Sequence, residues 1–258
     1  MKICVVAMGK IGLPLAVRFA SKGHECIGVD VNAATVAAVN AGREPFPGET
    51  DLQTKLATAV SAGLMTATTD YAKAVPGADA VVVVVPLFVD GDGKPDFGWM
   101  DSATRDIAAN LTAGTLVSYE TTLPVGTSRT RWTPMLEQGS GLKQGTDFHV
   151  VFSPERVLTG RVFADLRKYP KLIGGLSVEG AQRGREFYGA VLDFDDRPAL
   201  DRANGVWDLG SAEASELATL AEPNFPPVHL ALANQSAMFA AHPPLDLPPT
   251  LASPPAPP

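Results

Sequence analysis

The sequence predicts an α/β fold built on a doubly wound parallel sheet. Three observations carry that reading: valine-rich runs alternate with helix-like stretches, a glycine loop joins the first run to the first helix, and the second run ends on a carboxylate. Strands buried on both faces read as continuous apolar runs, and parallel neighbours need crossover helices between them.

Residues 3–6 give the first strand, and Ala7-Met8-Gly9-Lys10-Ile11-Gly12 forms the turn into a helix at 13–21. The turn has the spacing of a dinucleotide-binding loop, with Ala7 at the first glycine position, so the turn must accept a methyl group there. Gly9 keeps a Cβ away from an approaching pyrophosphate, Gly12 lets the helix pack close to the strand, and the helix start presents unpaired N–H groups to an anion. A second strand at 26–29 ends on Asp30, placed to accept both ribose hydroxyls. That carboxylate repels a 2′-phosphate, and no arginine follows at Val31 or Asn32, so NAD is expected over NADP. After a helix at 33–41, residues 80–85 make the clearest central strand, lying between Asp79 and Pro86 with its carboxyl end toward a ligand crevice. A helix at 102–111, strands at 115–119, 149–152 and 171–173, and a helix at 179–190 complete the alternation. The pattern is Rossmann-like, and it is assigned to a domain at 1–206.

Ser211 can cap a new helix running through Leu217 and Leu220, which opens a partial helical domain at 207–241. Pro223, Pro226 and Pro227 interrupt it, since each removes a donor and crowds a preceding carbonyl. Half of the 22 prolines fall from Pro223 onward, and residues 242–258 read as a proline-rich disordered tail.

A net charge of -7, with no basic cluster longer than Arg167-Lys168, argues against electrostatic capture of nucleic acid. The longest apolar run, 80–89, is broken by Pro86 and too short for a bilayer, and the first residues lack a signal-peptide pattern, so a cytoplasmic protein without membrane partners is expected. Cys4 and Cys26 fall inside neighbouring strands and read as buried, reduced thiols. The four histidines, His24, His149, His229 and His242, lack ligand spacing and read as surface or loop residues, so no metal is implied.

Two further strand exits carry candidate chemistry. In Tyr119-Glu120-Thr121-Thr122-Leu123-Pro124-Val125-Gly126-Thr127, a threonine hydroxyl could bond a nicotinamide, a substrate or a water, or could simply cap the next helix. In Ser153-Pro154-Glu155-Arg156-Val157-Leu158, the adjacent acid and base could position water and sugar oxygens, or could be a solvated charge pair.

These three segments, in this order, resemble the UDP-glucose/GDP-mannose dehydrogenase family. Asp165 to Gly175 resembles the family's next block, and Gly210-Ser211-Ala212-Glu213-Ala214-Ser215-Glu216-Leu217 the start of its long central helix, which extends the resemblance from Met1 to about Phe239. The S-P-E-R-V wording and Pro86-Leu87-Phe88-Val89-Asp90 look more like the branch acting on N-acetylhexosamine nucleotides, such as UDP-N-acetylmannosamine, than like UDP-glucose dehydrogenases.

The resemblance implies oxidation of the C6 alcohol of a UDP-sugar to a carboxylate with NAD as cofactor. It implies a cofactor site at Gly9, Lys10, Ile11, Gly12, Asp30, Val85 and Thr122, with Thr122 and Glu155 catalytic and Glu155, Arg156, Val157 and Leu158 on the substrate side. A homodimer through the central helix is also implied. Three departures accompany it: no cysteine follows Cys26 to trap the aldehyde, Thr219 stands where the family has a helix lysine, and Thr35 replaces an arginine often found after the ribose carboxylate. The expectation is a truncated or frameshifted chain, inactive alone. Two alternatives are a UDP-glucose 6-dehydrogenase and a non-catalytic NAD-binding remnant.

Overall fold

A computed structural model describes residues 1–221. The chain divides into a compact unit, Met1–Leu217, and a second unit, Ala218–Pro258, of which only 218–221 are described. The interrupted helix beyond Ala221, the tail and the dimer contact proposed for them therefore lie outside the described residues.

Eight strands form the main sheet: β1 (Lys2–Val6), β2 (Glu25–Val29), β3 (Met65–Thr68), β4 (Ala80–Val83), β7 (Leu116–Tyr119), β8 (His149–Phe152), β9 (Lys171–Gly175) and β10 (Val206–Asp208). Between β4 and β7 the chain makes a small antiparallel hairpin, β5 (Phe88–Val89) with β6 (Pro95–Asp96). The sheet order is β10-β9-β8-β7-β4-β1-β2-β3. The chain works outward from β1 in one direction, returns, and works outward from β4 in the other. The two strands flank a topological switch point, where such sheets bind ligands beyond their carboxyl ends.

Helices α1 (Gly12–Ser21), α2 (Ala33–Asn40), α3 (Leu52–Ser61), α4 (Tyr71–Ala74), α5 (Gly98–Ala108), α6 (Thr133–Ser140), α7 (Val162–Lys168) and α8 (Val178–Val191) connect the strands. None among the described residues is long and apolar enough to cross a membrane. Strand periodicity sorts the core into two clusters: Ile3, Val5 and Val82 join one, Cys4, Val81 and Val83 the other. Both faces are thereby dry, which accounts for the near-continuous valine in β4.

Several expected elements shift. β4 ends at Val83, two residues early, although the Val84 N–H still bonds to the Val6 carbonyl at 3.1 Å. α5 starts at Gly98, a turn before the expected position, after the hairpin. The 42–79 stretch, assigned no element from sequence, holds α3, β3 and α4; α3 buries Leu52, Leu56 and Ala59 at helical spacing. His149 is buried at the start of β8, which corrects its reading as a surface or loop residue. The expected all-parallel sheet has one antiparallel join, β8 to β9, with Phe152 opposite Gly174.

The turn after β1 shows the consequence of its unusual residue. Ala7 has φ +78°, a left-handed conformation that costs a side chain on the order of 1 kcal/mol or more. At Gly12 a Cβ would stand 1.9 Å from the Ala7 carbonyl oxygen and 2.7 Å from Val84 Cγ2. Here backbone meets backbone, and no side-chain rotation relieves the clash. Ala7→Gly is therefore expected to raise stability by about 1 kcal/mol, and Gly12→Ala to lower it by about 3 kcal/mol or more. Chemical denaturation of the two variants reads both effects; a destabilised Ala7→Gly would contradict strain at this turn.

Candidate functional site

The turn after β1 meets the three requirements for binding an anion. α1 begins at Gly12 with Ile11 at its cap, no side chain accepts from its first turn, and no acidic residue lies there. Within the first turn the Leu13 and Leu15 N–H groups are bonded to the Gly9 and Ile11 carbonyls at 3.1 Å and Pro14 has no N–H, so the Gly12 end, the amides of the turn before it and the unopposed positive end of the helix dipole face the open side. Gly9 and Lys10 are exposed, a Cβ at Gly9 would meet nothing within 4 Å, and Lys10 makes no ion pair among the described residues. Asp30 stands beside this turn, its Oδ2 accepting from the Met8 N–H and its Oδ1 from the Asn32 N–H, both at 2.8 Å. The same Asn32 caps α2 by accepting from Ala34 and Thr35 N–H groups. The site fits a dinucleotide: open space for the pyrophosphate and a fixed carboxylate for a ribose.

The threonine segment leaves β7 at the same edge. The Thr121 hydroxyl donates to the carbonyl of Val85 at 2.7 Å and ties the exits of β4 and β7 together, while Thr122 is exposed. Neither threonine caps the following helix. A helical turn at Ser128–Trp132 leads into α6, and its amides are capped by Glu216, which accepts from Gly126 N–H at 2.5 Å and Ser128 N–H at 3.0 Å. Glu216 lies on a helix at 212–221, whose start Ser211 caps by accepting from Ala214 N–H at 3.1 Å, as its sequence predicts. Thr219 lies on that helix.

Glu155 leaves β8 beside Glu120, and its N–H bonds to the Glu120 carbonyl at 3.1 Å. A buried lysine joins the two side chains. Lys171 Nζ lies 2.8 Å from Glu120 Oε2 and 2.9 Å from Glu155 Oε2, with Lys171 5% and Glu120 0% exposed and Glu155 at 10% forming the outer end. The Tyr188 hydroxyl of α8 donates to Glu120 Oε1 at 2.5 Å and sits 2.6 Å from Ser118 Oγ. Burial raises the Glu120 pKa, Lys171 lowers it and Glu155 raises it again, leaving it pushed up to about 7. Burial works against the Lys171 ammonium, but the two carboxylates outweigh it and hold its pKa above the ordinary lysine value. Burial and Glu120 together push Tyr188 well above the usual phenol range.

Glu155 is therefore no solvated surface pair. Its Oε1 also accepts from the Arg156 N–H at 2.9 Å, and the Arg156 guanidinium donates to the Pro170 carbonyl at 2.6 Å. Val157 is half-buried against the core, whereas Leu158 is exposed with its N–H on Asp165. Between Glu155, Arg156, Tyr169 and Lys171 lies a cavity of about 10 Å³, room for one water and not for a sugar. The two thiols are elsewhere: Cys4 and Cys26 are buried in β1 and β2, where burial pushes both up to about 12. Lys171, Tyr188 and Glu216 escaped the sequence reading. The available signal was a lysine opening a wholly buried strand.

Residues 1–192 match the family model for the NAD binding domain of the UDP-glucose/GDP-mannose dehydrogenase family. The chain is 34% identical over 245 residues to UDP-N-acetyl-D-mannosamine dehydrogenase of Escherichia coli (strain K12) and 32% over 240 residues to that of Pyrococcus horikoshii, covering 93% of this chain and 54% of each relative. A solved structure of UDP-D-ManNAc dehydrogenase from Pyrococcus horikoshii superposes with TM-score 0.82 at 31% identity, over 93% of this chain and 54% of that one. The chain spans about half the length of the curated relatives it matches.

Two expectations follow from the geometry. Because burial raises the folded-state pKa of Glu120 from 4.5 to about 7, the folded chain holds that proton more tightly than the unfolded chain. The resulting stabilisation is complete below pH 4.5 and is lost as pH rises through about 7. The wild-type minus Glu120→Gln difference in urea-unfolding free energy should fall across that window, and a flat difference would refute the shift. Glu216→Ala should speed hydrogen exchange at the Gly126 and Ser128 amides by roughly tenfold, the loss of bonds to a charged acceptor; unchanged exchange would deny Glu216 its capping role.

Proposed function

The chain belongs to the UDP-glucose/GDP-mannose dehydrogenase family, and we propose that it binds NAD as the cofactor part of a nucleotide-sugar dehydrogenase of the UDP-N-acetylhexosamine branch. One observation carries this reading: the uncapped start of α1 with Asp30, the exposed Thr122 and the outer carboxylate Glu155 all stand at the same carboxyl edge of the sheet. That edge is where a doubly wound fold brings cofactor and substrate together. The sugar preference draws on the S-P-E-R-V wording at 153–157 and on the specificity carried by the relatives' names.

In this reading the amides of the turn leading into α1, the positive end of the helix at Gly12 and the Lys10 ammonium hold the pyrophosphate. Asp30, already oriented by two backbone N–H groups, takes the ribose hydroxyls and opposes a 2′-phosphate. Bound NAD supplies a hydride acceptor. Thr122 orients a polar group at the mouth of the crevice, and Glu155 takes the proton of the alcohol being oxidised. Oxidation to the carboxylate also needs a thiolate that captures the aldehyde. Cys4 and Cys26 cannot supply it, because each is enclosed in the sheet with its thiol pKa far above neutral pH. The reading is therefore of a chain that binds NAD without completing the four-electron reaction.

Calorimetric titration should show NAD+ binding, with NADP+ weaker by about tenfold, and Asp30→Ala should narrow that gap. NADH formation should be absent with UDP-N-acetylmannosamine and with UDP-glucose. No heat from NAD+ in the folded chain would remove the cofactor reading, and sustained turnover of either sugar would remove the claim that the thiolate step is missing.

A further inference from the structure

The Glu155, Lys171 and Glu120 side chains form a continuous path of hydrogen bonds from the crevice into the interior, and its inner end has no use in the chemistry described so far. Glu155 is the outer group, Lys171 contacts both carboxylates, and Glu120 is sealed beneath them. We propose that Glu120 is a proton reservoir for Glu155, reached through Lys171. The inference rests on the reading of Glu155 as the acceptor of the alcohol proton.

The transfer is balanced in two steps. Lys171 breaks one N–H bond and gives that proton to Glu120 Oε2, forming an O–H bond and a neutral amine. The amine then takes the proton from the Glu155 carboxyl and becomes an ammonium again, which restores Glu155 as a carboxylate. No electron pair leaves the path, and its net result is one proton moved from the crevice to Glu120. Both distances, 2.8 and 2.9 Å, are within direct transfer range.

The surroundings favour a stored proton at the inner end. Glu120 faces the Lys171 ammonium from β9, the Glu155 carboxylate from the segment after β8, and the Tyr188 hydroxyl from α8, with the Ser118 hydroxyl behind the tyrosine. Two carboxylates compete for one cation. A proton on Glu120 leaves a single ion pair, Lys171 with Glu155, and removes an excess buried charge. Its pKa near neutrality lets Glu120 itself be either loaded or empty at physiological pH, while the ammonium of Lys171 is the resting form between transfers.

Infrared titration of the full chain tests this. The wild type should show the C=O stretch of a protonated buried carboxyl that disappears as pH rises through neutrality, and Glu120→Gln should lack it. Glu155→Gln keeps the band but lowers its midpoint by roughly half a pH unit or more, because a neighbouring negative charge is gone; this variant secures the assignment if Glu120→Gln fails to fold. Lys171→Arg preserves the charge, but its guanidinium does not give up a proton. After a pH jump its band should therefore equilibrate about tenfold more slowly than wild type, a difference that a purely structural lysine would not produce. Absence of a titrating band, or wild-type speed in Lys171→Arg, overturns the reservoir. NAD+ titration of the same samples separates the two readings: a titrating band without NAD+ binding sinks the cofactor reading, and NAD+ binding without the band sinks the reservoir alone.

Discussion

Placing two carboxylates side by side at the end of a dry sheet demands a buried cation between them, and the direction of β9 provides it. Had β9 run parallel to β8, its first residue would lie at the opposite edge of the sheet. Because the pair is antiparallel, with Phe152 opposite Gly174, the start of β9 meets the segment leaving β8, and Lys171 arrives between Glu120 and Glu155. Isolated buried carboxylates would be far too costly to keep ionised, whereas a shared ammonium makes the arrangement tolerable without cancelling it. The residual imbalance is visible in the raised pKa of Glu120. The position of the outer carboxylate thus depends on a strand reversal between β8 and β9, separated from the strand of the nucleotide loop by β4 and β7.

The nucleotide loop shows a different balance. Its geometry requires a left-handed residue after β1, and Ala7 adopts that conformation despite its methyl group. The loop remains in place because its surroundings determine it from several sides: Ala7 N–H bonds to the Val29 carbonyl at 2.8 Å, Met8 N–H to Asp30, and Gly12 admits the Ala7 carbonyl at close range. Asp30 takes part in this bracing. The group read as the ribose acceptor is also a strut of the turn, which links cofactor recognition to local stability.

Much of the fold was legible because periodicity reports burial. The strands at β1, β2 and β8 follow their apolar runs closely, and Ser211 caps its helix as its residue type suggests. β3 was invisible because its two threonines dilute a four-residue strand, and α3 because its apolar positions are interleaved with Gln53, Thr54 and Lys55. Strand direction is encoded in no local pattern, so the antiparallel β9 and the role of Lys171 had no sequence signature beyond a charged residue heading a buried strand. Glu120, read as one letter of a motif, owes its character to Lys171 on β9 and Tyr188 on α8, each distant in sequence. The nucleotide turn was legible for the opposite reason, since all its parts lie within thirty residues of one another.

The two walls of the crevice beyond the nucleotide loop are each held by a carboxylate that reaches across the fold. Glu216 pins the Gly126 and Ser128 amides and so sets the segment carrying Thr122; the Glu120 and Lys171 pair sets Glu155. Neither brace uses Ala7, Thr35 or a thiol. A change at those positions can weaken the nucleotide turn while leaving the walls where they are. The crevice walls and the nucleotide turn are thus physically separable: the first rest on buried acids and their long-range partners, and the second on local backbone bonds and Asp30.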